Sequence, residues 1–404
     1  MTPDFPLGIA FDEAFAITCD IATRHRLERQ SIATARADGR VLAADVVAPI
    51  DLPPFDNSQM DGFAFRHADL QAGAALPLAG EQFAGGPLLA ALPPGTCARI
   101  TTGAPLPPGA DTVVMKEQAR IDADSVRLPA DPAHGQFVRR AGEDVRAGEV
   151  VLRPGQRLTP ARVSLAAALG LDTVEVVRRP TVAVFTGGDE LVEPGLPLAP
   201  GQVYDSIRAL LLGLLRADGL EPTAWPRLPD DARTVEVALR DAACAFDVVI
   251  TCGAVSAGER DHIPGVLQRF GKVHFWKVRM RPGMPMLLAS IDQARVLALP
   301  GNPVSVLATY LTLGRALLDG LQGAAEPRPT WRARLATPIR KAHPRREFVR
   351  GRWHVDADGV LHVEPDPATA SNRLRAAAAC NALVVVGEGE QDLAAGSLVD
   401  MLPY

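Results

Sequence analysis

Carboxylate residues stand beside glycine-rich turns at two places in the middle of this sequence. Thr186-Gly187-Gly188-Asp189-Glu190 combines two glycines with two acids, and Gly258-Glu259-Arg260-Asp261 closes a second turn that also holds Gly253 and Ser256. Threonine and serine hydroxyls can donate hydrogen bonds to phosphate, and a carboxylate can bind a divalent cation that bridges phosphate groups. The pattern therefore predicts a site for an anionic ligand, with Glu190 and Asp261 as candidate metal ligands.

A third turn, Pro300-Gly301-Asn302-Pro303-Val304-Ser305, resembles the first two in its position. Each of the three turns follows an apolar, β-branched run, at residues 182–185, 248–250 and 296–299, and each is expected to open a helix. In a parallel α/β sheet such turns lie at the carboxyl edge, where helix N-termini attract anions. The alternation of strands and helices predicts a central doubly wound, mostly parallel α/β domain.

Cationic residues alternate shortly after the second turn, at Lys277, Arg279 and Arg281. Alternate residues of a strand share one face, so the three cations are expected together, opposite the acidic turns. That placement fits an anionic ligand held partly through a metal. Simpler interpretations remain open: Asp189 as a helix cap, Glu190 as a first-turn residue favoured by the helix dipole, and Arg279 as part of a solvated strand face.

Composition describes a globular protein of several domains. The chain has 404 residues, 47% hydrophobic and 22% charged, with a formal net charge of -5, which disfavours a nucleic-acid binder. No leader-like N-terminus and no apolar run long enough to span a bilayer are recognised, so no membrane association is expected. Five scattered cysteines without a C-x-x-C spacing are typical of a reducing cytoplasm. Cys252, inside the second turn, is better explained as a small turn residue than as a nucleophile.

The distribution of proline and glycine divides the chain into four expected domains. Residues 1–44 together with 145–178 are expected to form a small helical and β N-terminal linker domain, interrupted by an elongated β-rich insertion domain at 45–144. The α/β domain follows at 179–327. Short β runs after a proline-rich linker predict a small, β-barrel-like C-terminal domain at 328–404.

Six short motifs occur in an order that resembles the molybdopterin molybdenumtransferase family, which shares its fold with the C-terminal half of gephyrin. The resemblance covers nearly the whole chain. The motifs are NSQMDGFA from Asn57, TTGAP from Thr101, GDEL from Gly188, YDS from Tyr204, the turn from Gly253 to Asp261, and LPGNPVS from Leu299.

The resemblance implies an enzyme that takes adenylylated molybdopterin and molybdate and yields molybdenum cofactor and AMP, assisted by Mg²⁺. It also implies a cytoplasmic homodimer, in which the β insertion of one subunit completes the cleft of the other. Molybdopterin adenylyltransferase and molybdoenzyme maturation factors are implied as partners. Breaking the phosphoanhydride of an adenylylated substrate calls for positioning and for electrostatic stabilisation of phosphate oxygens, and no residue is a convincing covalent nucleophile.

The resemblance assigns roles to individual residues of this sequence. The implied catalytic residues are Glu190, Asp261, Asp230, Lys277, Arg281, Asp61, Thr102 and Asp144. Glu190 and Asp261 would hold the metal, Lys277 and Arg281 would stabilise the anion, and a second subunit would bring Asp61, Thr102 and Asp144. The implied ligand-binding residues are Gly187, Gly188, Asp189, Ser206, Gly253, Ser256, Gly258, Pro300, Gly301, Asn302, Ser305, Arg350 and Ser371.

Two departures from the family pattern affect the positive charge that is available to bind molybdate. Met284 stands where the family usually carries a lysine, and Arg281 replaces a lysine seen in many members. Losing one cation from an oxyanion pocket costs about 1–3 kcal/mol if that cation makes a charge-assisted bond. A preference for tungstate over molybdate therefore stays open.

Two other functions are compatible with parts of the pattern. A catalytically silent scaffold of the gephyrin type would keep the fold and lose the reaction. The acidic set of Asp61, Asp144, Glu190, Asp230 and Asp261 favours the enzyme, because a scaffold has no need to keep mutually repelling carboxylates together. A nucleotide pyrophosphatase would share only the α/β domain.

Overall fold

Residues 4–178 form the N-terminal elements and a β-rich insertion. The computed structural model describes residues 4–71, 75–255, 261–368, 370 and 372–404, so the predicted site residues Ser256, Gly258 and Ser371 lie outside the described residues. The elements up to residue 178 are β1 (Leu7–Ile9), α1 (Phe11–Arg24), β2 (Arg29–Ala33), β3 (Val46–Val47), β4 (Asn57–Ser58), β5 (Gly62–Phe65), β6 (Ala75–Gln82), β7 (Cys97–Ile100), β8 (Thr112–Met115), β9 (Arg120–Asp122), β10 (Ser125–Arg127), β11 (Val138–Arg139), β12 (Val150–Leu152), α2 (Pro160–Ala168) and β13 (Thr173–Val177).

The insertion is a sheet with the strand order β8-β5-β7-β6-β10-β9. The segments that precede and follow the insertion pair with each other and form one small unit beside it. In that unit β13 pairs antiparallel with β2, and β12 pairs antiparallel with β3. The α2 helix begins after Thr159, whose side chain accepts a hydrogen bond from the Arg162 amide, with Pro160 at the first helical position.

The α/β unit and the C-terminal unit follow in chain order. The α/β elements are β14 (Val182–Thr186), β15 (Leu191–Val192), β16 (Val203–Tyr204), α3 (Ser206–Ala217), β17 (Thr223–Ala224), α4 (Ala232–Ala245), β18 (Val248–Cys252), α5 (His262–Phe270), β19 (Lys272–Val278), β20 (Met280–Arg281), β21 (Leu287–Ile291), β22 (Ala294–Leu299), α6 (Pro303–Thr309) and α7 (Arg315–Leu321). The C-terminal elements are β23 (Trp331–Leu335), β24 (Ile339–Lys341), β25 (Arg346–Val355), β26 (Leu361–Pro365), α8 (Leu374–Ala379), β27 (Ala382–Val386), β28 (Gln391–Leu393) and β29 (Leu398–Pro403).

The central sheet has the order β1-β19-β21-β22-β18-β14-β17. β17, β14, β18 and β22 are parallel, whereas β21 runs antiparallel to both β22 and β19. Successive residues of β14 enter opposite cores, since Val182 and Val184 pack with α3 while Ala183 and Phe185 pack with α4. Both faces of the sheet are therefore covered, and the predicted doubly wound, mostly parallel α/β class is confirmed.

The first strand and helix join this sheet rather than the unit around the insertion. β1 pairs in parallel with β19, and α1 buries Phe11 and Ala14 in the same core as α7. The expected division had placed residues 1–44 with 145–178. A three-residue strand carries almost no pattern of its own, so only the pairing itself shows where it belongs. The four domain boundaries remain predictions.

One helical segment is more apolar than the sequence analysis expected. Residues 303–321 run through α6, a π-helical stretch at Tyr310–Gly314 and α7, and within the described residues this segment has the length and apolarity to cross a membrane. However, 78% of its most apolar window is buried inside the protein, with Tyr310 and Leu317 fully covered. The segment therefore packs as the core helix of the α/β unit.

The C-terminal strands form a closed barrel, as the β-barrel-like expectation stated. The order β25-β26-β23-β29-β27 returns to β25 through a further antiparallel pairing. β20, which follows directly after β19, pairs with β25 at Met280 with Arg346 and at Arg281 with Glu347. The chain thus ties the barrel to the carboxyl edge of the α/β sheet.

Candidate active site

Three glycine turns lie together at the carboxyl edge of the central sheet. The Gly187 amide donates to the Cys252 carbonyl at 2.9 Å, and the Gly253 amide donates to the Leu299 carbonyl at 3.1 Å. A Cβ on Gly253 would lie 2.9 Å from the Gly187 oxygen, and one on Gly301 would lie 3.4 Å from the Gly253 Cα. The turns therefore pack backbone to backbone, which leaves main-chain groups available to a ligand.

These turns enclose a cleft of about 450 Å³, a size typical of a small-molecule site. Nine of the predicted site residues line it: Gly187, Gly188, Glu190, Asp230, Gly253, Asp261, Pro300, Gly301 and Asn302. Six further residues that the sequence analysis did not propose complete the lining: Leu191, Ile207, Cys252, Ala254, Val255 and Pro285. Neighbouring turns of one sheet edge supply most of this lining.

Three carboxylates reach the cleft from separate elements. Glu190 belongs to the turn after β14, Asp230 precedes α4, and Asp261 is the N-cap residue of α5. Gly188 has a φ of +127°, and a Cβ there would lie 2.7 Å from the Glu190 Cδ, so the carboxylate folds over a position that only glycine can occupy. The cleft thus combines acidic side chains with an exposed backbone.

The carboxylates do not form a ready-made metal cage. Within the described ranges, no group of three or more His, Cys, Asp or Glu side chains is close enough to hold a metal ion. Mg²⁺ is usually bound through one or two carboxylates together with substrate phosphates and water. Glu190 and Asp261 line the same cleft, so the chemistry of these two side chains is compatible with a cation that a bound phosphate would help to coordinate.

Family models match three consecutive parts of the chain, two of them models of MoeA regions. The MoeA N-terminal region (domains I and II) matches residues 9–170, the "Probable molybdopterin binding domain" matches 183–320, and the MoeA C-terminal region (domain IV) matches 332–404. The molybdopterin molybdenumtransferase of Haemophilus influenzae is 38% identical over 371 residues, which cover 91% of this chain and 92% of that one. The chain belongs to the MoeA family.

Further comparisons extend over the same length. Molybdopterin molybdenumtransferase 2 of Mycobacterium tuberculosis is 38% identical over 379 residues, covering 91% of this chain and 93% of that protein. The crystal structure of the molybdopterin biosynthesis moeA protein from Pyrococcus horikoshii has a TM-score of 0.84 at 28% identity, covering 98% of this chain and 100% of that chain. The resemblance inferred from the motifs is therefore confirmed.

The first turn of this MoeA chain does not open a helix, contrary to the expectation. The chain instead forms the short strands β15 and β16 before α3, so the interpretation of Asp189 as a helix cap and Glu190 as a first-turn residue is wrong. Asp189 is exposed and does not line the cleft. The cap of α3 is Asp205, which accepts a hydrogen bond from the Arg208 amide at 3.0 Å.

A buried polar network lies beneath the first turn. The Thr186 hydroxyl donates to Asp205 at 2.6 Å, and Arg208 donates to the Thr186 oxygen at 3.0 Å and lies 3.3 Å from the Asp205 carboxylate. Thr186 is fully buried and Asp205 is 5% exposed. Neither Asp205 nor Arg208 was among the site residues predicted from the sequence. Their signal was the Asp-Ser-Ile-Arg sequence, a capping residue immediately before the apolar run of a helix.

Cys252, the last residue of β18, lines the cleft, but its thiol is not reactive. The residue is only 2% exposed. Burial, and then the neighbouring Asp205 carboxylate, raises the pKa of its thiol far above the usual range. The thiol therefore stays protonated at neutral pH, which agrees with the interpretation that Cys252 is not a nucleophile, although the residue is the last of β18 rather than part of the turn.

The three cations predicted on one strand face are separated. Lys277 adopts a φ of +63°, which breaks the alternation, and its ammonium lies 5.0 Å from the centre of the Trp276 ring. β19 then ends at Val278, and Arg279 pairs with Glu388 of the C-terminal unit at 3.4 Å. The expectation of a shared cationic face was wrong because the positive φ at Lys277 interrupts the alternation and the chain crosses to the barrel after Val278. Lys277 does not line the cleft.

Arg281 and Arg350 line a second, much smaller cavity of about 20 Å³ beside the first turn of α6. Arg281 lies 3.5 Å from Glu347, its neighbour across the pairing of β20 and β25. Arg350 is 4% exposed and donates to the carbonyls of Ala368 and Ala370, so it holds the segment that precedes residue 371. This places the two arginines at the junction of the barrel and the α/β unit.

The remaining predicted residues lie away from the cleft lining of this chain. Ser206 is the first residue of α3, and Ser305 is buried within α6. In the insertion, Asp61 accepts hydrogen bonds from the amide and hydroxyl of Thr102, both at 2.9 Å, and these bonds lower the pKa of Asp61. Asp144 is exposed where the insertion rejoins the N-terminal unit.

Proposed function

We propose that this protein is a molybdopterin molybdenumtransferase, which inserts molybdenum from molybdate into adenylylated molybdopterin and releases AMP. The observation that carries the proposal is the cleft in which three glycine turns expose their backbone beside Glu190, Asp230 and Asp261. The similarity to named transferases over 91% of the chain supports the same reaction.

The cleft suits the cleavage of a phosphoanhydride. Turns that pack without side chains allow phosphate oxygens to approach the backbone closely, and N–H groups there that are not already bonded between the turns would favour the negative charge that develops as AMP leaves. Asp205, Thr186 and Arg208 hold the first turn from below, so its amides keep their orientation during the reaction. Pre-oriented donors of this kind are a major source of rate enhancement.

We assign the metal role to Glu190 and Asp261, with Asp230 orienting a bound ligand in the same cleft. Mg²⁺, when bound there, would neutralise charge on the phosphate oxygens. The carboxylates would keep the cation at the phosphate end of the ligand. This assignment is supported by the position of both side chains in the lining of one cleft.

We assign anion stabilisation to Lys277 and Arg281. Both are held in place by contacts on their own chain, Lys277 over the Trp276 ring and Arg281 beside Glu347. Molybdate and tungstate carry the same charge, so the charges of Lys277 and Arg281 do not by themselves give a difference in affinity between the two oxyanions. Met284, which is 40% exposed on the segment leading to Pro285 of the cleft, contributes no charge to either.

We further propose a cytoplasmic homodimer with clefts shared between subunits. Asp61 and Thr102 form an exposed, hydrogen-bonded pair that does not line the cleft of its own chain. In a twofold-symmetric dimer each insertion would bring this pair and Asp144 to the partner's cleft. Molybdopterin adenylyltransferase, as the source of the substrate, and molybdoenzyme maturation factors, as recipients of the product, are the partners that we propose for this function.

The test is the release of AMP from adenylylated molybdopterin by the purified protein with Mg²⁺, with and without molybdate. The proposal predicts release that depends on molybdate. Binding of the substrate without any such release would instead support a silent scaffold.

A further inference from the structure

Arg227 lies directly beside the first glycine turn. Its Nη1 donates a hydrogen bond to the Gly188 carbonyl at 2.7 Å, and Gly188 lines the cleft. The backbone on either side is fixed, because the Trp225 amide donates to Val184 at 2.9 Å and the Leu228 amide donates to Thr186 at 2.8 Å. This stretch continues β17 alongside β14 and carries Arg227 to the rim of the cleft.

The side chain of Arg227 faces away from the core. Leu228, its neighbour, is 3% exposed and packs with Phe185 and Val235, whereas Arg227 is exposed. One donor of the guanidinium is engaged with Gly188, and the group carries five N–H donors in a rigid plane. Donors therefore remain for a ligand in the cleft.

The described lining of the cleft is acidic, so a positive charge at the position of Arg227 matters for an anionic ligand. That lining contains Glu190, Asp230 and Asp261 but neither lysine nor arginine. Other arginines near this edge are paired with carboxylates, Arg208 with Asp205 and Arg281 with Glu347. Arg227, by contrast, contacts a carbonyl and has no carboxylate partner among the residues that the structure describes.

We propose that Arg227 binds a phosphate oxygen of the adenylylated substrate and adds a cation that the described lining lacks. This inference rests on the proposed function and names one further binding residue for it. A guanidinium that is already oriented by the Gly188 carbonyl loses little freedom on binding, and arginine–phosphate hydrogen bonds are charge-assisted.

The experiment compares Arg227→Met, Arg227→Gln and Arg227→Lys with Arg216→Met. Arg216 is exposed in the last turn of α3, at the opposite end of that helix from the cleft, so its loss changes the net charge equally. The dissociation constant of adenylylated molybdopterin is measured calorimetrically without molybdate. The KM and kcat of AMP release are measured with molybdate, and thermal unfolding verifies that each variant is folded.

Substrate binding should weaken about tenfold or more in Arg227→Met, with kcat changing much less, because a charge-assisted bond to the ligand is lost. Arg227→Gln should bind as weakly as Arg227→Met, since it retains a donor for Gly188 but no charge. Arg227→Lys should recover part of the affinity. Salt should weaken binding less in the neutral variants than in the wild-type protein.

Two results would overturn the inference. Binding by Arg227→Met that matches the Arg216→Met control would remove any role in affinity. Recovery by Arg227→Gln would show that the side chain only holds the turn. A wild-type protein that fails to bind the substrate would instead overturn the proposed function, and the inference with it.

Discussion

At the residue scale, Glu190, Asp230 and Asp261 are brought to one cleft although they stand up to 71 positions apart in the chain. Carboxylates that share a cleft repel one another, so a protein keeps them together when a ligand or a cation uses them. We therefore expect these three carboxylates to contribute to the reaction rather than to the stability of the fold. Replacing one of them should therefore affect the reaction and leave the fold intact.

Glu190→Gln and Asp261→Asn should each lower the kcat of AMP release by about 100-fold, by analogy with the loss of one stabilising group from a polar active site. Both variants should remain folded in thermal unfolding, because glutamine and asparagine keep the size and shape of the side chains that they replace. Glu221→Gln, at an exposed position after α3, is the matched control for the charge. Full activity in either cleft variant would show that its carboxylate role is misassigned.

At the element scale, the cleft depends on strand-to-turn junctions that meet without side chains. Gly187, Gly253 and Gly301 follow three neighbouring parallel strands and contact one another through their backbones. A side chain at the middle junction would push the turns apart. The glycines are therefore required by the packing of the turns as well as by access of a ligand.

Gly253→Ala should destabilise the fold by about 1–3 kcal/mol and weaken substrate binding. The residue has a φ of +91°, and the added Cβ would lie 2.9 Å from the Gly187 oxygen. Gly213→Ala, in the exposed middle of α3 with open space around the new methyl group, should instead stabilise by about 0.5–1 kcal/mol. Chemical denaturation measures both changes. Equal effects at the two positions would contradict the packing of the turns.

The sequence predicted the elements whose signal is local and repeated. Apolar β-branched runs followed by glycine turns identified β14, β18 and β22 and the edge at which they meet. The prediction that Lys277, Arg279 and Arg281 share one strand face was wrong, because Lys277 has a positive φ. The alternation of residue types along a sequence does not indicate where such a backbone conformation occurs. The helix expected after Glu190 was wrong because two short strands intervene.

Several features of the site had no local signal at all. Arg227 stands in a short connection without periodicity, and its position follows from hydrogen bonds to a strand some forty residues earlier in the chain. The pairing of β1 with β19 joins residues about 270 positions apart. Asp205 did carry a capping signal and could have been proposed from it.

At the scale of the whole molecule, ion pairs and shared strands fasten the α/β unit to its neighbours. Asp218, which is 8% exposed in its side chain, pairs with Arg315 of α7 at 2.8 Å and with Arg328 of the linker to the barrel at 2.9 Å. Arg328 also pairs with Asp319, and Arg157 of the N-terminal unit reaches the same carboxylate at 2.9 Å. This network stabilises the junction of the α/β unit with the N-terminal unit and with the linker to the barrel.

Asp218→Asn should lower the free energy of unfolding at neutral pH by about 2 kcal/mol, because it leaves the largely buried Arg315 without its carboxylate and removes one of the two carboxylates of Arg328. Burial raises the pKa of Asp218, but hydrogen bonds from Arg315 and Tyr310, together with the Arg328 charge, more than offset this and lower it. A lowered folded-state pKa gives stability that is present above the unfolded value and lost as pH falls through the folded value. The difference between wild type and variant should therefore shrink in acid.

Asp20→Asn is the control for that measurement. Asp20 pairs with Arg24 on the exposed face of α1, where the side chains are 51% and 70% exposed, so its loss should cost no more than about 0.5 kcal/mol. A wild-type advantage over Asp218→Asn that persisted or grew in acid would contradict the assignment of the network.

The proposed sharing of clefts between two subunits predicts complementation. Asp61→Asn and Glu190→Gln should each be nearly inactive alone, because each removes one half of every cleft. Subunits mixed and reassembled in equal amounts should regain about one quarter of the wild-type activity, since half of the dimers would contain one intact cleft of two. Light scattering measures whether the protein and the reassembled mixture are dimers. Absence of recovery from reassembled dimers would place Asp61 outside the shared site.

The most direct measurement of the central claim is the amount of molybdenum bound to pterin per AMP released, followed in one reaction with adenylylated molybdopterin, Mg²⁺ and molybdate. The account predicts one molybdenum atom inserted per AMP released, and a loss of both products in Glu190→Gln. Release of AMP at the same rate without molybdenum insertion would contradict it and indicate a nucleotide pyrophosphatase.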